Sequence, residues 1–121
     1  RDQPRSRGLG DVYKRQPIYY PSARPHMGHA YSSIIADFFS RFKTIDGYKV
    51  CFLTGTDEHG LKIQRSAEKE GLDPLKFCDQ ISKTFRDLSK TLNLTNTDFI
   101  RTTEDRHKKT VQHLWKELEK N

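Results

Sequence analysis

One uninterrupted apolar run does most to limit the folds that this chain can adopt. The run is Val50-Cys51-Phe52-Leu53-Thr54, and it lacks the alternation of polar and apolar residues expected of a half-exposed strand. A short apolar run of this kind is typical of a strand that is buried on both faces in a parallel sheet. It therefore predicts a parallel sheet whose faces are covered by other elements.

The residues that flank this strand have the periodicity of helices. Apolar residues at intervals of three and four predict a helix from residue 29 to about residue 43. A shorter helix is predicted from about residue 62 to residue 70, with Gly71 in the position that commonly follows a helix. The apolar positions of the first helix are Ala30, Ile34, Ile35, Phe38, Phe39 and Phe42.

The carboxyl-terminal part of the chain continues this alternation. Asp73 and Pro74 suit the N-cap and first position of a third helix. A short strand is predicted at residues 98–101, and Thr102 and Asp105 predict a capping box for a last helix. Together with a strand end at residues 17–21, these elements predict an α/β fold. The third helix has its apolar residues at Cys78, Ile81, Phe85, Leu88 and Leu92, and the last helix at Val111, Leu114, Trp115 and Leu118.

Composition excludes several classes of protein. The chain has 121 residues, which suits one small domain, and no run reaches the roughly 18 apolar residues of a membrane span. Cys51 and Cys78 are too few for a disulfide framework and form no Cys-x-x-Cys pair, which argues against a zinc site in this chain. The net charge is +6, and residues 1–16 carry +3 of it, so polyanion binding by the main body is weakly indicated.

Residues 1–16 differ from the rest of the chain because they have few apolar residues and no helix or strand period. We expect them to be a non-native or disordered tail, joined by cloning or sequence assembly, and we expect the domain to cover residues 17–121. The first residue is Arg rather than Met, and the last residues continue a helical pattern. The chain is therefore interpreted as a piece of a larger protein.

Two polar loops follow predicted strands and carry the candidate functional residues. They cover residues 19–29 and 54–60, and ligands of open α/β sheets bind beyond the carboxyl ends of the strands. Three of the five histidines, His26, His29 and His59, lie in these loops. This concentration predicts a site where the two loops meet.

His26-Met27-Gly28-His29 lies where the first loop enters a helix. Residues three apart share a helix face, and a helix N-terminus attracts anions through its free N–H groups. The imidazoles can donate hydrogen bonds to phosphate oxygens, and Gly28 leaves room for a flat ring near the backbone. The motif predicts a polyphosphate site. Its alternatives are a metal site completed by Asp57 or His59 and a pair of ordinary surface histidines.

Asp57 follows the buried strand, where a carboxylate suits an ammonium group. Its alternative role is that of an Asx-turn residue, which the nearby Gly55 and Gly60 favour. Tyr20 offers a flat wall for the side chain of a ligand, with simple core packing as the alternative.

These motifs resemble the methionyl-tRNA synthetase family of class I aminoacyl-tRNA synthetases, over residues 17–121. His26-Met27-Gly28-His29 looks like the first class I signature, which usually has Ile in place of Met27. The second loop separates this family from the isoleucine, valine and leucine enzymes. The other matching segments are Pro17-Ile18-Tyr19-Tyr20-Pro21, Gly55-Thr56-Asp57-Glu58-His59-Gly60, Lys62-Ile63-Gln64 and Arg101-Thr102-Thr103. Ser22 stands where the family often has Asn.

The resemblance implies a Rossmann-like parallel sheet with flanking helices, the first half of a class I catalytic domain. It implies that methionine is activated with ATP and Mg²⁺ to methionyl-adenylate and then transferred to tRNA(Met). By motif, His26 and His29 would be the catalytic pair and would also bind ATP together with Gly28, which would lie under the adenine. The implied methionine-binding residues are Ile18, Tyr20 and Asp57.

The second class I signature, Lys-Met-Ser-Lys-Ser, does not occur in the 121 residues. The chain alone is therefore expected to be inactive. The resemblance places most tRNA binding and any zinc site in other regions, and it implies a cytoplasmic protein, with the mitochondrial matrix as alternative and no membrane partner. Two other functions stay open, namely a small nucleotidyltransferase with a His-x-Gly-His loop and a non-catalytic truncated module.

Overall fold

The structure is a computed structural model that describes the backbone of residues 11–120 and the side chains of residues 16–120. Strands and helices alternate over this part of the chain, which confirms the α/β class. The elements are β1 (Asp11–Arg15), α1 (Met27–Ile45), β2 (Lys49–Thr56), α2 (Leu61–Lys69), α3 (Pro74–Thr91), β3 (Asp98–Arg101) and α4 (Asp105–Leu118).

The described strands form one parallel sheet in the order β1-β2-β3. The central strand is β2, which contains the apolar run of the sequence. Its Phe52 is completely buried, whereas Cys51 and Leu53 on the other face are only partly buried, so the two faces are not both buried as predicted. Parallel crossovers are right-handed almost without exception, so this strand order puts both crossovers on the same face of the sheet. Contacts between α1 and the segment after α3 agree, since the carboxylate of Asp37 accepts hydrogen bonds from Thr95.

The sheet begins earlier than the sequence predicts. Residues 11–15 form β1, which pairs in parallel with residues 49–53 of β2, and Gln16 is buried with its amide donating to the Thr54 hydroxyl. This corrects the expectation that the fold starts at residue 17, whereas residues 1–10 lie outside the described residues. Pairing with the neighbouring β2, rather than an apolar pattern of its own, makes residues 11–15 a strand.

The strand end predicted at residues 17–21 contributes one isolated bridge, between Tyr19 and Thr56. Prolines on both sides explain why it is not longer, because Pro17 and Pro21 have no N–H to donate to a neighbouring strand.

The boundaries of α2 and α3 follow the predicted signals. Gly71 lies just after α2 with φ of +66°, a left-handed conformation that favours glycine. Asp73 caps α3 by accepting the N–H groups of Leu75 and Lys76 at 3.0 and 3.3 Å, and Pro74 is the first helical residue. Both helix signals are confirmed.

The predicted capping box of α4 is wrong. The N-cap of this helix is Glu104, which makes no side-chain capping hydrogen bond. The hydroxyl of Thr102 instead accepts the N–H of Glu58 at 2.8 Å. The Thr102 side chain therefore joins the loops after β2 and β3 instead of capping α4.

The main apolar core lies among Tyr19, α2 and α3. It contains most of the apolar positions predicted for α3, and Leu72 and Phe99 pack against its edge. Its buried residues are Tyr19, Ile63, Ala67, Phe77, Cys78, Ile81 and Phe85. Burial raises the pKa of Cys78 to about 11, so its thiol stays protonated near neutral pH.

The face that α1 buries differs from the apolar face predicted for it. Of the predicted apolar residues only Ala30 is buried. The others are 39–63% exposed, namely Ile34, Ile35, Phe38, Phe39 and Phe42. Ser33, Asp37 and Ser40 are buried in their place. Asp37 accepts hydrogen bonds from the N–H and the hydroxyl of Thr95, both at 2.6 Å, and it pairs with Arg41 at 2.6 Å. Polar contacts therefore fix the buried side of this helix.

Candidate active site

Tyr19 joins the two loops that carry the candidate residues. Its N–H donates to the carbonyl of Gly55 at 3.0 Å, and its own carbonyl accepts the N–H of Asp57 at 2.8 Å. Its buried ring stacks on Phe85 with centroids 4.6 Å apart and meets the His29 ring at 5.6 Å. The start of α1 and the end of β2 are therefore brought together, as the sequence predicts.

His26 and His29 cap α1 reciprocally. Nδ1 of His26 accepts the N–H of Gly28, and Nδ1 of His29 accepts the N–H of His26, each at 3.1 Å. This is the pattern of a capping box with imidazoles as both side chains. A ring nitrogen that accepts a hydrogen bond carries no proton, so each neutral ring has its proton on Nε2. Each histidine thus keeps one N–H donor for a ligand.

The electrostatics disfavour a charged His29 ring. The two rings lie 3.8 Å apart, a distance at which two cations would repel each other. Partial burial lowers the pKa of His29, and the neighbouring His26 lowers it further. Protonation at Nδ1 of His29 would also break its hydrogen bond to the backbone of His26. His29 therefore acts as a hydrogen-bond donor and not as a cation near neutral pH.

Gly28 is needed for a reason that the sequence did not show. A Cβ at this position would lie 2.9 Å from Cε1 and 3.1 Å from Nδ1 of His26. Any larger residue would push the His26 ring away from its capping position. The glycine thus supports the histidine cap, and its place under the adenine stays a prediction.

Asp57 is partly buried directly after β2. Its Oδ1 lies 3.4 Å from the N–H of His59, a long contact of the Asx-turn type. Among the described side chains, none forms an ion pair with Asp57. The turn geometry anticipated as an alternative is present, and it leaves most of the carboxylate free to accept a ligand's N–H groups.

Ile18 and Tyr20 flank the buried Tyr19 and are 41% and 57% exposed. Core packing was the alternative role for Tyr20, and the structure gives that role to Tyr19 instead. Both exposed side chains are accessible to a ligand beside the two loops. Their contact with a substrate stays a prediction.

Glu58 is a site residue that the sequence analysis missed. Its completely buried carboxylate accepts hydrogen bonds from Arg101 Nε at 2.7 Å, from Thr56 Oγ1 at 2.9 Å and from the Thr103 hydroxyl. Burial alone would raise the pKa of Glu58, but these hydrogen bonds and the charge of Arg101 outweigh burial and lower it. Only the pairing of Thr56 with Arg101 between β2 and β3 could have revealed this contact.

The described side chains do not form a metal site built from protein ligands alone. Among the side chains of residues 16–120, no group of three or more His, Cys, Asp or Glu could hold a metal ion. The Glu58 carboxylate beside Asp57 is already bound by Arg101. Nε2 of His59 lies 3.4 Å from the carbonyl oxygen of Thr102, and His59 does not form a three-residue metal-binding group with His26 and His29. The use of Mg²⁺ stays a prediction, since this ion is usually held by one or two carboxylates together with substrate phosphates.

The fold and the site define an α/β domain in which a histidine-capped helix and an acidic loop meet at the carboxyl edge of a parallel sheet. The sequence model of the tRNA synthetases class I (M) matches residues 12–121. The chain belongs to this family. The resemblance found in the sequence is thereby confirmed, and the match includes residues 12–16, which the sequence analysis had set aside.

Two curated relatives are similar to most of this chain. The mitochondrial methionine–tRNA ligase of Takifugu rubripes is 54% identical over 89% of the chain and 18% of its own length. The methionine–tRNA ligase of Rickettsia bellii is 50% identical over 88% of the chain and 21% of its own length. The chain thus spans about a fifth of the length of these relatives.

A solved structure has the same fold. The methionyl-tRNA synthetase of Mycobacterium tuberculosis, in complex with methionyl-adenylate, superposes with a TM-score of 0.86 and 41% identity over 89% of this chain and 21% of its own.

No helix within residues 11–120 is long and apolar enough to cross a membrane.

Proposed function

We propose that this chain is the amino-terminal part of the catalytic domain of a methionine–tRNA ligase and that it binds ATP and methionine during formation of methionyl-adenylate. The reciprocal cap of His26 and His29, joined through Tyr19 to the Asp57 loop, supports this proposal most directly. Similarity to a synthetase solved with methionyl-adenylate supports the choice of substrates.

The histidine cap would bind the phosphates of ATP. The Nε2–H groups of His26 and His29 are donors that need no rearrangement to meet an anion, and the positive end of the α1 dipole favours an anion at the same place. The methionine carboxylate would attack the α-phosphorus and release pyrophosphate. Negative charge then builds up on the phosphate oxygens, where fixed donors lower the barrier. Positioning both substrates supplies the rest, and no protein nucleophile is required.

The second loop would bind the amino acid. The carboxylate of Asp57 would accept hydrogen bonds from the methionine ammonium group. Tyr20 would line the side-chain pocket, where a thioether packs favourably against an aromatic ring. Ile18 would contribute backbone contacts beside it.

Transfer of the methionyl group to the terminal ribose of tRNA(Met) would follow. Recognition of the tRNA would lie mostly outside these 121 residues, since the main body of the chain carries a net charge of only +3. Both the cytoplasm and the mitochondrial matrix remain proposed compartments, because the relatives include a mitochondrial enzyme and bacterial ones. Imaging of the tagged protein would decide between them.

Substitution of Asp57 tests the proposal. In a full-length synthetase that carries residues 11–121, we expect methionine-dependent ATP–pyrophosphate exchange, and none from the 121-residue chain alone. Asp57→Asn removes the charge and keeps the size. Hydrogen bonds to charged groups contribute roughly 1.5–3 kcal/mol, so the KM for methionine should rise about tenfold or more while the KM for ATP moves much less.

Asp73→Asn is the matched control, because it makes the same change at a helix cap where Asn is also favoured. Both KM values should stay at their original levels in this variant. If Asp57→Asn lowers stability and leaves both KM values unchanged, Asp57 is only a turn residue. If ATP binding suffers more than methionine binding, Asp57 acts on a metal ion and the proposed role is wrong.

A further inference from the structure

The loop that carries Asp57 is fastened to the loop that follows β3. The N–H of Glu58 donates to the hydroxyl of Thr102 at 2.8 Å. In return, the N–H of Thr102 donates to the carbonyl of Thr56 at 3.1 Å. Two hydrogen bonds thus tie the end of β2 to the end of β3, on either side of Asp57.

The side chain of Glu58 strengthens the same connection. Its carboxylate is completely buried and accepts hydrogen bonds from Thr56, Arg101 and Thr103. These donors lie at the carboxyl ends of β2 and β3, the edge at which the candidate site is found. The Glu58 carboxylate therefore faces into the protein, while Asp57, the next residue along, is only partly buried.

Asp57 itself has little that would fix its side chain. The Asp57 carboxylate makes one hydrogen bond within the described part of the chain, the long 3.4 Å contact with the N–H of His59. Its main-chain N–H is held by the carbonyl of Tyr19 at 2.8 Å. The direction of its carboxylate therefore depends on the backbone at residues 57 and 58, and Glu58 and Thr102 fix that backbone on its second side.

We propose that Glu58 and Thr102 are positioning residues that hold the Asp57 carboxylate in place for the substrate ammonium group without touching the substrate. This inference rests on the proposed function, since it deepens the role given there to Asp57. The affinity for methionine is thus set in part by a contact between two loops. Binding of ATP at the histidine cap does not depend on this contact.

A purely stabilising role would not require this arrangement. A buried ion pair usually adds little stability compared with apolar packing of the same volume, because two charges must be taken out of water. Arg101 has a second partner, Asp79, at 2.6 Å, whose side chain is 55% exposed. That outer pair uses the same guanidinium group but takes no part in the two hydrogen bonds on either side of Asp57, so Asp79 provides a control.

The experiment uses a full-length synthetase that carries these residues. Thr102→Val keeps the shape and removes the hydroxyl that accepts the Glu58 N–H, whereas Thr102→Ser keeps that hydroxyl. Glu58→Gln keeps the size and removes the charge, and Asp79→Asn is the control for the outer ion pair. Methionine and ATP are varied in turn in the ATP–pyrophosphate exchange assay. Hydrogen–deuterium exchange of the peptide that covers residues 57–60 measures the loop directly.

We expect Glu58→Gln and Thr102→Val to raise the KM for methionine about tenfold, because a small misplacement of a binding group weakens a site strongly. The KM for ATP should change less than about twofold in the same variants. Deuterium uptake at residues 57–60 should become faster. Thr102→Ser and Asp79→Asn should match the unsubstituted enzyme in both measurements.

Three results would overturn the inference. One is an unchanged KM for methionine in an active Thr102→Val enzyme, and a second is an equal rise in both KM values, as a merely structural role predicts. The third is unchanged deuterium uptake at residues 57–60, a measurement that needs neither activity nor substrate. Absence of methionine-dependent exchange in the unsubstituted enzyme would instead overturn the proposed function, and the deuterium measurement would then show whether the loop contact exists.

Discussion

Two substitutions of His29 separate its capping role from its role toward a ligand. Asn places an acceptor oxygen near the position of Nδ1, so His29→Asn can still accept the N–H of His26. It has no atom at the position of Nε2, the proposed phosphate donor. His29→Ala loses both groups. The pair of variants therefore differs mainly by one helix cap.

The structure gives the magnitudes. The His29 ring meets the edges of Tyr19 and Phe85 at 5.6 and 5.1 Å, and both variants lose these contacts, which contribute about 1 kcal/mol in all. Loss of the cap adds about 1 kcal/mol for His29→Ala alone. We therefore expect His29→Ala to unfold about 4 °C below His29→Asn, since that is the shift for 1 kcal/mol in a domain of this size.

The two variants should differ in stability but lose similar amounts of catalytic activity. Loss of a fixed donor to the developing charge costs about 3 kcal/mol, so both variants should lose about 100-fold in ATP–pyrophosphate exchange. Differential scanning calorimetry and the exchange assay give the two readouts. Near-normal exchange in His29→Asn would refute the phosphate role. Equal melting temperatures of the two variants would refute the cap.

Three further predictions concern the framework. Gly55→Ala should destabilise the chain by about 3 kcal/mol in urea unfolding, because its Cβ would lie 2.0 Å from the carbonyl oxygen of Ile100. Gly60→Ala meets no atom within 4 Å but has φ of +110°, so it measures the cost of backbone strain without a clash. The free energy of unfolding should fall on acidification, because the folded-state pKa of Glu58 lies below its ordinary 4.5 and that of His29 below 6.5, so that the unfolded chain binds more protons. In Glu58→Gln, the part of this loss that occurs as pH falls below 4.5 should be smaller. Deletion of residues 1–10 should leave the melting temperature unchanged, whereas deletion of residues 1–16 should lower it because β1 is lost.

The sequence was sufficient where local signals decide the structure. The apolar run of β2, the Asp73 cap and Gly71 each act within a few residues, so their patterns can be recognised without knowledge of the fold. The same is true of the meeting of the two loops. It follows from the rule that parallel strands end at one edge of the sheet.

The sequence did not predict structure that depends on a partner far away in the chain. Residues 11–15 become a strand because β2 pairs with them, and nothing in their own pattern indicates it. The buried side of α1 depends on Asp37, whose partner Thr95 lies 58 residues away. Glu58 and Arg101 are 43 residues apart, and only the register of β2 against β3 brings them together. A charged residue in a polar loop is otherwise indistinguishable from one on a solvated surface.

The two halves of the site are held by different means and share one residue. The histidine cap is local, since His26, Gly28 and His29 bond to one another within a single turn of α1. The Asp57 loop is held by long-range contacts to the end of β3. Tyr19 connects them, because its backbone fixes Asp57 while its ring packs against His29. The spacing between the histidine cap and the Asp57 carboxylate is therefore set by the burial of this one ring. Tyr19 is accordingly the buried member of the aromatic pair, and Tyr20 is exposed.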